Sequence, residues 1–335
     1  MKFGVVLPVA VDGSAGPAYD ETLRVCRLAE NLGFDFATVS HHRFNPRYPS
    51  APFVLLGALA GSTSRISLGT NIAVLPAMHP VDVAEQVATV DRISRGRVYI
   101  GAGTGYRREE FEVGGVDFES RGDRMSEALE VLRLLWSEEN VTFAGNHFRF
   151  ENVTLQPRPV QVPSPPILVG AQLKKAVIRA ARLGDGWTTD SKTTLRELEP
   201  LVALFRKEAD AAADGRPRVI SVTRDVGIGP SRKAVENSWL PSVKKVFVDY
   251  WRLGMRFPDP ERVSERLAAG ESIGFDEFVS DRFVAGSPED CISALQHVIE
   301  VVGCDQVLVR FGYGSRFDDH AMRLFAEEVI PPLRS

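Results

Sequence analysis

One feature of the chain limits its fold more than any other. Short apolar runs rich in Val and Ile alternate with longer amphipathic runs from end to end. The short runs read as buried strands and the longer ones as helices. Strands are expected at 3–7, 36–40, 66–75, 97–100, 167–170, 186–189, 219–228 and 306–310. Helices are expected at 19–33, 53–62, 81–93, 124–136, 174–183, 195–213, 287–303 and 318–330. Ser287, Pro288 and Asp290 supply a cap, a first-turn proline and an acid at the third position, which together make a strong helix start. Near-continuous apolar strands separated by helices form a parallel sheet covered by helices. Eight such units over about 300 residues fit a closed (β/α)8 TIM barrel better than an open, doubly wound sheet.

Two stretches break the alternation. Residues 141–155 read as a β-hairpin with Gly145-Asn146 at its turn. Residues 231–282 are polar, helical and aromatic-rich and read as an insertion. The proline-rich stretch 157–166 is expected to be an extended strap. The whole of 1–335 is expected to form a single barrel domain carrying both insertions.

Composition excludes several classes of function. Lys plus Arg number 40 and Asp plus Glu 44, a net charge of −4. That balance argues against nucleic acid or an anionic membrane as a general partner. No run approaches the roughly 18 apolar residues of a membrane helix. The N-terminus opens straight into a strand pattern, so no signal peptide is expected and the cytoplasm is the default location. Cys26, Cys291 and Cys304 lie far apart, with neither C-x-x-C nor zinc spacing. They read as buried hydrophobes, and no metal is expected.

In a barrel of this type the active site lies at the C-terminal ends of the strands. After the second strand come Ser40-His41-His42-Arg43. Side chains alternate along a strand, so at most one of the two histidines projects into the mouth. That one is either a general acid/base or a histidine bonded to a loop carbonyl. Thr70 and Asn71 interrupt the apolar third strand and suggest a bulge facing the interior, or a buried polar pair bonded to neighbouring backbone. Gly101-Ala102-Gly103-Thr104-Gly105-Tyr106 has glycines that let backbone approach a ligand, but it lacks the dinucleotide-binding spacing. A flexible hinge is the alternative there. Gly170-Ala171-Gln172 leads into a helix N-terminus, a ready anion site to which Lys174, Lys175, Arg107, Arg108 and Arg121 add charge. An ordinary short loop is the alternative. No lysine stands ready for a Schiff base and no acidic cluster suits a metal-dependent hydrolase at the mouth.

Several ordered blocks resemble the bacterial luciferase-like superfamily. They include 68–76, His79-Pro80, Ala84-Glu85-Gln86, Gly101-x-Gly103-x-Gly105 and Ser120-Arg121-Gly122. Glu127 to Leu132 with Trp136, Pro157-Arg158-Pro159, Pro165-Pro166-Ile167 and Gly184-Asp185-Gly186-Trp187 extend the likeness over residues 1–190. The resemblance implies a barrel that binds FMN, or the related deazaflavin coenzyme F420, at its mouth. It implies that His41 and His42 stand beside the flavin. It implies a non-proline cis peptide at Asn71–Ile72, bulging against the ring beside Thr70. It implies that Tyr106, Arg121, Ala171 and Gln172 hold the phosphate and its tether, with Gly103, Thr104 and Gly170 also among the cofactor-binding residues. Ser40 stands where many FMN-using members have Glu, and Thr104 where luciferase has Arg.

The leading expectation is a monooxygenase that uses reduced FMN and dioxygen on a small organic substrate. His41 or His42 would move a proton, and a separate flavin reductase would be a partner. Such chemistry needs a dry cavity, which Phe44, Tyr48, Trp187, Phe311 and Tyr313 could shield. One alternative is a deazaflavin-dependent hydride-transfer enzyme, whose cofactor's polyanionic tail suits Arg107, Arg108, Lys174 and Lys175. Another is a flavin-binding protein without catalysis. The resemblance also implies a homodimer. The insertion 231–282 and the loop 310–316 are expected to shape the substrate pocket.

Overall fold

The structure is a computed structural model and describes residues 1–12, 16–45, 48–216, 218–252, 262–312 and 317–334. Eight parallel strands close into a barrel: β1 (Lys2–Val6), β2 (Phe36–Val39), β3 (Ser67–Thr70), β4 (Val98–Gly103), β5 (Ile167–Gly170), β6 (Gly186–Thr188), β7 (Val219–Ile228) and β8 (Gln306–Phe311). Pairing runs β1-β2-β3-β4 on one side and β5-β6-β7-β8-β1 on the other. Ile167, Leu168 and Val169 pair with Ile100, Gly101 and Ala102, which shuts the cylinder between β4 and β5.

Helices α1 (Tyr19–Asn31), α2 (Pro52–Ser62), α3 (Pro80–Ser94), α4 (Arg121–Ser137), α5 (Lys174–Leu183), α6 (Leu195–Ala212), α7 (Pro288–Val302) and α8 (Asp319–Leu324) surround the barrel. Every second strand residue faces them. Phe3, Val5, Ala37, Val39, Leu68, Ile100, Ala102, Val169, Trp187, Val222 and Val309 form one large apolar layer with the inner faces of the helices. The other strand residues fill the barrel interior. Val6, Phe36 and Leu308 cluster at its base with Tyr99. The cap read at Ser287 is present: Ser287 and Asp290 exchange side-chain-to-backbone hydrogen bonds at the start of α7.

The hairpin consists of Val141–Ala144 and Arg149–Val153. Glu127 of α4 holds its turn by accepting the backbone N–H groups of Asn146, His147 and Phe148. Burial works against the Glu127 carboxylate, yet these donors keep its pKa below the usual value. Asp91, fully buried in α3, anchors the strap by accepting from the backbone of Val160 and Gln161. The insertion contributes helices Arg232–Ser238, Leu240–Arg252, Val263–Ala268 and Phe275–Val279. They share a small core of their own around Phe247, Phe275, Phe278 and Phe283.

Two departures from the sequence reading lie side by side in the barrel wall. The run 66–75 is not one strand: it breaks after Thr70 at a cis Asn71–Ile72 peptide and resumes at Ala73–Val74. The fourth strand does not stop at residue 100 but continues through the glycines to Gly103. The two differences have one cause. A Cβ on Gly101 would stand 2.0 Å from the Thr70 carbonyl oxygen, and one on Gly103 would stand 2.6 Å from Ile72 Cδ1. The glycines extend the strand because they alone leave room for the displaced backbone beside it.

Candidate active site

The loop leaving β2 carries both histidines, and alternation separates them. His41 is 1% exposed. Its Nδ1 accepts the Val74 backbone N–H at 3.1 Å, tying this loop to the chain beyond the cis peptide. Burial is the main cause that lowers the His41 pKa to about 4, against a smaller opposing pull from Glu110. His41 is therefore held neutral where it ties the loop to Val74.

His42 faces the mouth. Its Nδ1 lies 2.8 Å from Oε1 of Glu110, a fully buried carboxylate in the short helix Glu109–Glu112. The same oxygen accepts the Arg43 backbone N–H at 3.1 Å and stands 3.5 Å from the Arg107 guanidinium. A buried carboxylate needs such donors. It also selects the imidazole tautomer, because an acceptor at Nδ1 requires the proton there. Nε2 is then the acceptor and faces the Tyr106 hydroxyl at 3.3 Å. Tyr48 and Tyr106 stand edge-on to the imidazole, with ring centroids 4.7 and 5.3 Å away. Burial raises the Tyr106 phenol above its usual pKa, so it stays protonated.

Beside this group the cis peptide pushes Ile72 toward the interior. Gly103 of β4 and Gly170 of β5 receive its side chain; a Cβ on Gly170 would stand 3.0 Å from Ile72 Cγ2. Thr70 is buried and bonded to both the N–H and the carbonyl of Gly101. Asn71 accepts the Thr188 hydroxyl at 3.1 Å and reaches Thr223 at 3.5 Å. The outcome is a fixed apolar bump against which a planar ring can lie.

The anion end is built from two helix starts. No side chain caps α5, so its first N–H groups and dipole face outward beyond Ala171 and Gln172. Ala171 is held by the Trp187 indole, which donates to its carbonyl at 2.9 Å. Gln172 donates to Asp190 at 2.5 Å. Arg179, one turn further along α5, donates to Ser126 of α4 at 3.0 Å. A Cβ on Gly122 would stand 3.2 Å from its Nη2, so the missing side chain leaves that guanidinium its place. Arg121 is engaged on its own turn: it donates to the Phe118 carbonyl and stacks 3.9 Å over the Phe118 ring. Thr104 is half-buried at the same loop. An uncapped helix start with an adjoining guanidinium fits a phosphate.

Across the mouth, Asp225 of β7 accepts the Ser191 hydroxyl at 2.9 Å and pairs with Arg310 of β8 at 3.4 Å. Lys192 lies 3.4 Å from the same hydroxyl and 6.0 Å from the centre of the Phe247 ring in the insertion. Burial lowers its pKa against the pull of Asp225.

A barrel with a histidine at a strand end, a cis peptide bump and an uncapped phosphate-type helix start calls for comparison with known proteins. The model of the luciferase-like monooxygenase family matches residues 1–306. The chain belongs to the luciferase-like family. Its relatives include the F420-dependent hydroxymycolic acid dehydrogenase of Mycobacterium tuberculosis, 28% identical over 94% of this chain and 85% of that protein. The oxygenase component of the flavin-dependent trigonelline monooxygenase of Acinetobacter baylyi is 27% identical over 93% of this chain and 89% of its own. The crystal structure of monooxygenase RslO1 from Streptomyces bottropensis superposes with a TM-score of 0.83 at 26% identity, covering 99% of this chain and 100% of that one. This luciferase-like protein is thus an oxidoreductase of a family that holds both flavin monooxygenases and F420-dependent enzymes.

Sequence reasoning missed two residues of the site. Glu110 lies in the charged run Arg107 to Glu112, of which the sequence reading used only the two arginines; the adjoining Phe111 is buried on the same short helix. Arg179 lies among the alanines of α5 with no motif around it. Two expected shielding aromatics face elsewhere. Trp187 and Phe311 occupy outward strand positions and pack in the layer between barrel and helices. Phe44 is 55% exposed at the rim, Tyr48 abuts His42, and Tyr313 lies outside the described residues. Of the loop 310–316, residues 313–316 are likewise outside them, as are 253–261 of the insertion.

Proposed function

We propose that this chain is a deazaflavin (coenzyme F420)-dependent oxidoreductase that interconverts an alcohol and a carbonyl in a small organic substrate. The observation that carries the proposal is the His42–Glu110 pair. When bound, a deazaflavin supplies two-electron hydride chemistry without activating dioxygen. The chain's own task is then to exchange one proton with the substrate oxygen. Glu110 keeps the proton on Nδ1, so the opposite nitrogen takes a proton at the mouth, and the imidazolium that forms faces a carboxylate 2.8 Å away. Ile72 would support the ring from beneath. The start of α5 and Arg179 would take the phosphate, and the exposed Lys174 and Lys175 beside them suit a polyanionic tail.

The competing reading is oxygenation with reduced FMN supplied by a separate reductase. It asks for an enclosed, dry cavity. The outward packing of Trp187 and Phe311 and the exposure of Phe44 and Tyr106 support the first reading over it. The test is anaerobic mixing with reduced F420 or reduced FMN, followed by air and a panel of alcohols and ketones. We expect tight F420 binding and substrate-dependent F420 absorbance change with no oxygen uptake. Incorporation of labelled dioxygen into product with FMN would overturn the proposal.

A further inference from the structure

The His42 side chain is only 13% exposed, and its outward nitrogen is already covered. The Tyr106 hydroxyl stands 3.3 Å from Nε2, on the side away from Glu110. Tyr106 itself is 50% exposed. A substrate entering from the mouth therefore meets the phenol before the imidazole. With Nδ1 protonated toward Glu110, Nε2 can only accept, so the phenol donates to it.

From this order we infer that Tyr106 is the catalytic residue that touches the substrate oxygen, with His42 behind it as the proton store and Glu110 as the positioning residue. The inference rests on the alcohol–carbonyl reading above. In the oxidation direction the substrate hydroxyl gives its proton to Tyr106 Oη as Tyr106 gives its own to His42 Nε2. Two protons move together and the phenol never becomes an anion. The electron pair of the broken C–H bond leaves to the deazaflavin as hydride. The new imidazolium is balanced by the Glu110 carboxylate. In the reduction direction both protons return. A phenol, protonated at neutral pH, suits a group that only passes protons on. The other ionisable groups facing Tyr106 are Tyr48, Glu110, Arg107 and Glu109.

The test uses the full chain with F420 and Tyr106→Phe, which keeps the ring against His42 and removes only the hydroxyl. We expect kcat to fall about a hundredfold. We also expect the rate in mixtures of light and heavy water to change from a curved dependence, two protons in flight, to a linear one. An unchanged kcat, or a lower kcat with the curvature kept, would overturn the relay while leaving the F420 reading intact. A second measurement needs no turnover. The 15N signal of His42 Nε2 in the cofactor-free protein should move toward that of an unbonded imidazole nitrogen in Tyr106→Phe. A signal that does not move means that the phenol does not donate to His42, and the relay fails whatever the cofactor.

Discussion

The two walls of the barrel mouth carry charge in opposite ways. On the β2–β4 side, one buried carboxylate holds one imidazole, and the chain of groups ends in a half-exposed phenol. On the β6–β8 side, Asp225, Ser191, Lys192 and Arg310 bond to one another beneath the insertion, and Asp225 is 1% exposed. Both walls bury ionisable groups at strand ends. The first leads from a buried carboxylate through an imidazole to a half-exposed phenol, a group that can pass a proton, while the second ends in the Arg310 guanidinium, which holds its proton. Burial and charge alone therefore do not mark the reacting groups here; the capacity to pass a proton does.

Four substitutions put that contrast under strain. The largest effect should come from His42→Gln, which keeps a donor toward Glu110 but removes the proton store. Turnover should fall about a thousandfold, roughly 4 kcal/mol of barrier, with the melting temperature and cofactor affinity nearly unchanged. Equal losses of stability and turnover would erase the distinction between the walls. Asp225→Ala should do the reverse. Removing one partner of a buried ion pair costs about 3–5 kcal/mol of stability, to be read from urea unfolding. A stable Asp225→Ala protein with lost turnover would move the chemistry across the mouth.

His41 gives the next effect, through pH. Its pKa is about 4 in the folded chain against an ordinary 6.5. The unfolded chain therefore binds a proton that the folded one refuses between those values. Stability contributed by neutral His41 is whole above pH 6.5 and is lost as the pH falls toward 4, by up to about 3 kcal/mol. The difference in urea midpoint between wild type and His41→Gln should narrow over that window. A constant difference would show that His41 does not titrate against burial. The smallest effect belongs to Arg24→Ala, which breaks surface pairs with Glu21 and Asp319 far from the mouth. It should cost less than about 1 kcal/mol and sets the baseline for the other three.

Much of this molecule could be read from the chain. The eight strand–helix units, the hairpin and the Ser287 cap are local patterns, and local patterns survive into the fold. The position of the cis peptide was legible from family likeness. What escaped were facts of register. Trp187 and Phe311 look like candidates for lining a cavity, yet the parity of one strand residue turns each to the outer layer. The glycines of 101–103 read as a loop for a ligand; they extend a strand and make way for Thr70 and Ile72. Glu110 could not be told from its charged neighbours Glu109 and Glu112, because nothing in the run says which of the three the short helix turns inward.

The bump at Ile72 has a wider consequence. The residues that make room here, Gly103 and Gly170 beside Ile72 and Gly101 beside the Thr70 carbonyl, sit on the very strands whose pairing completes the cylinder. Seat and seam are one piece of masonry. Retailoring this scaffold for a new cofactor by filling that hollow would prise the wall apart, whereas the side chains of Ser191, Lys192 and Arg310 on the far rim are where new substrates can be written in without touching that seam.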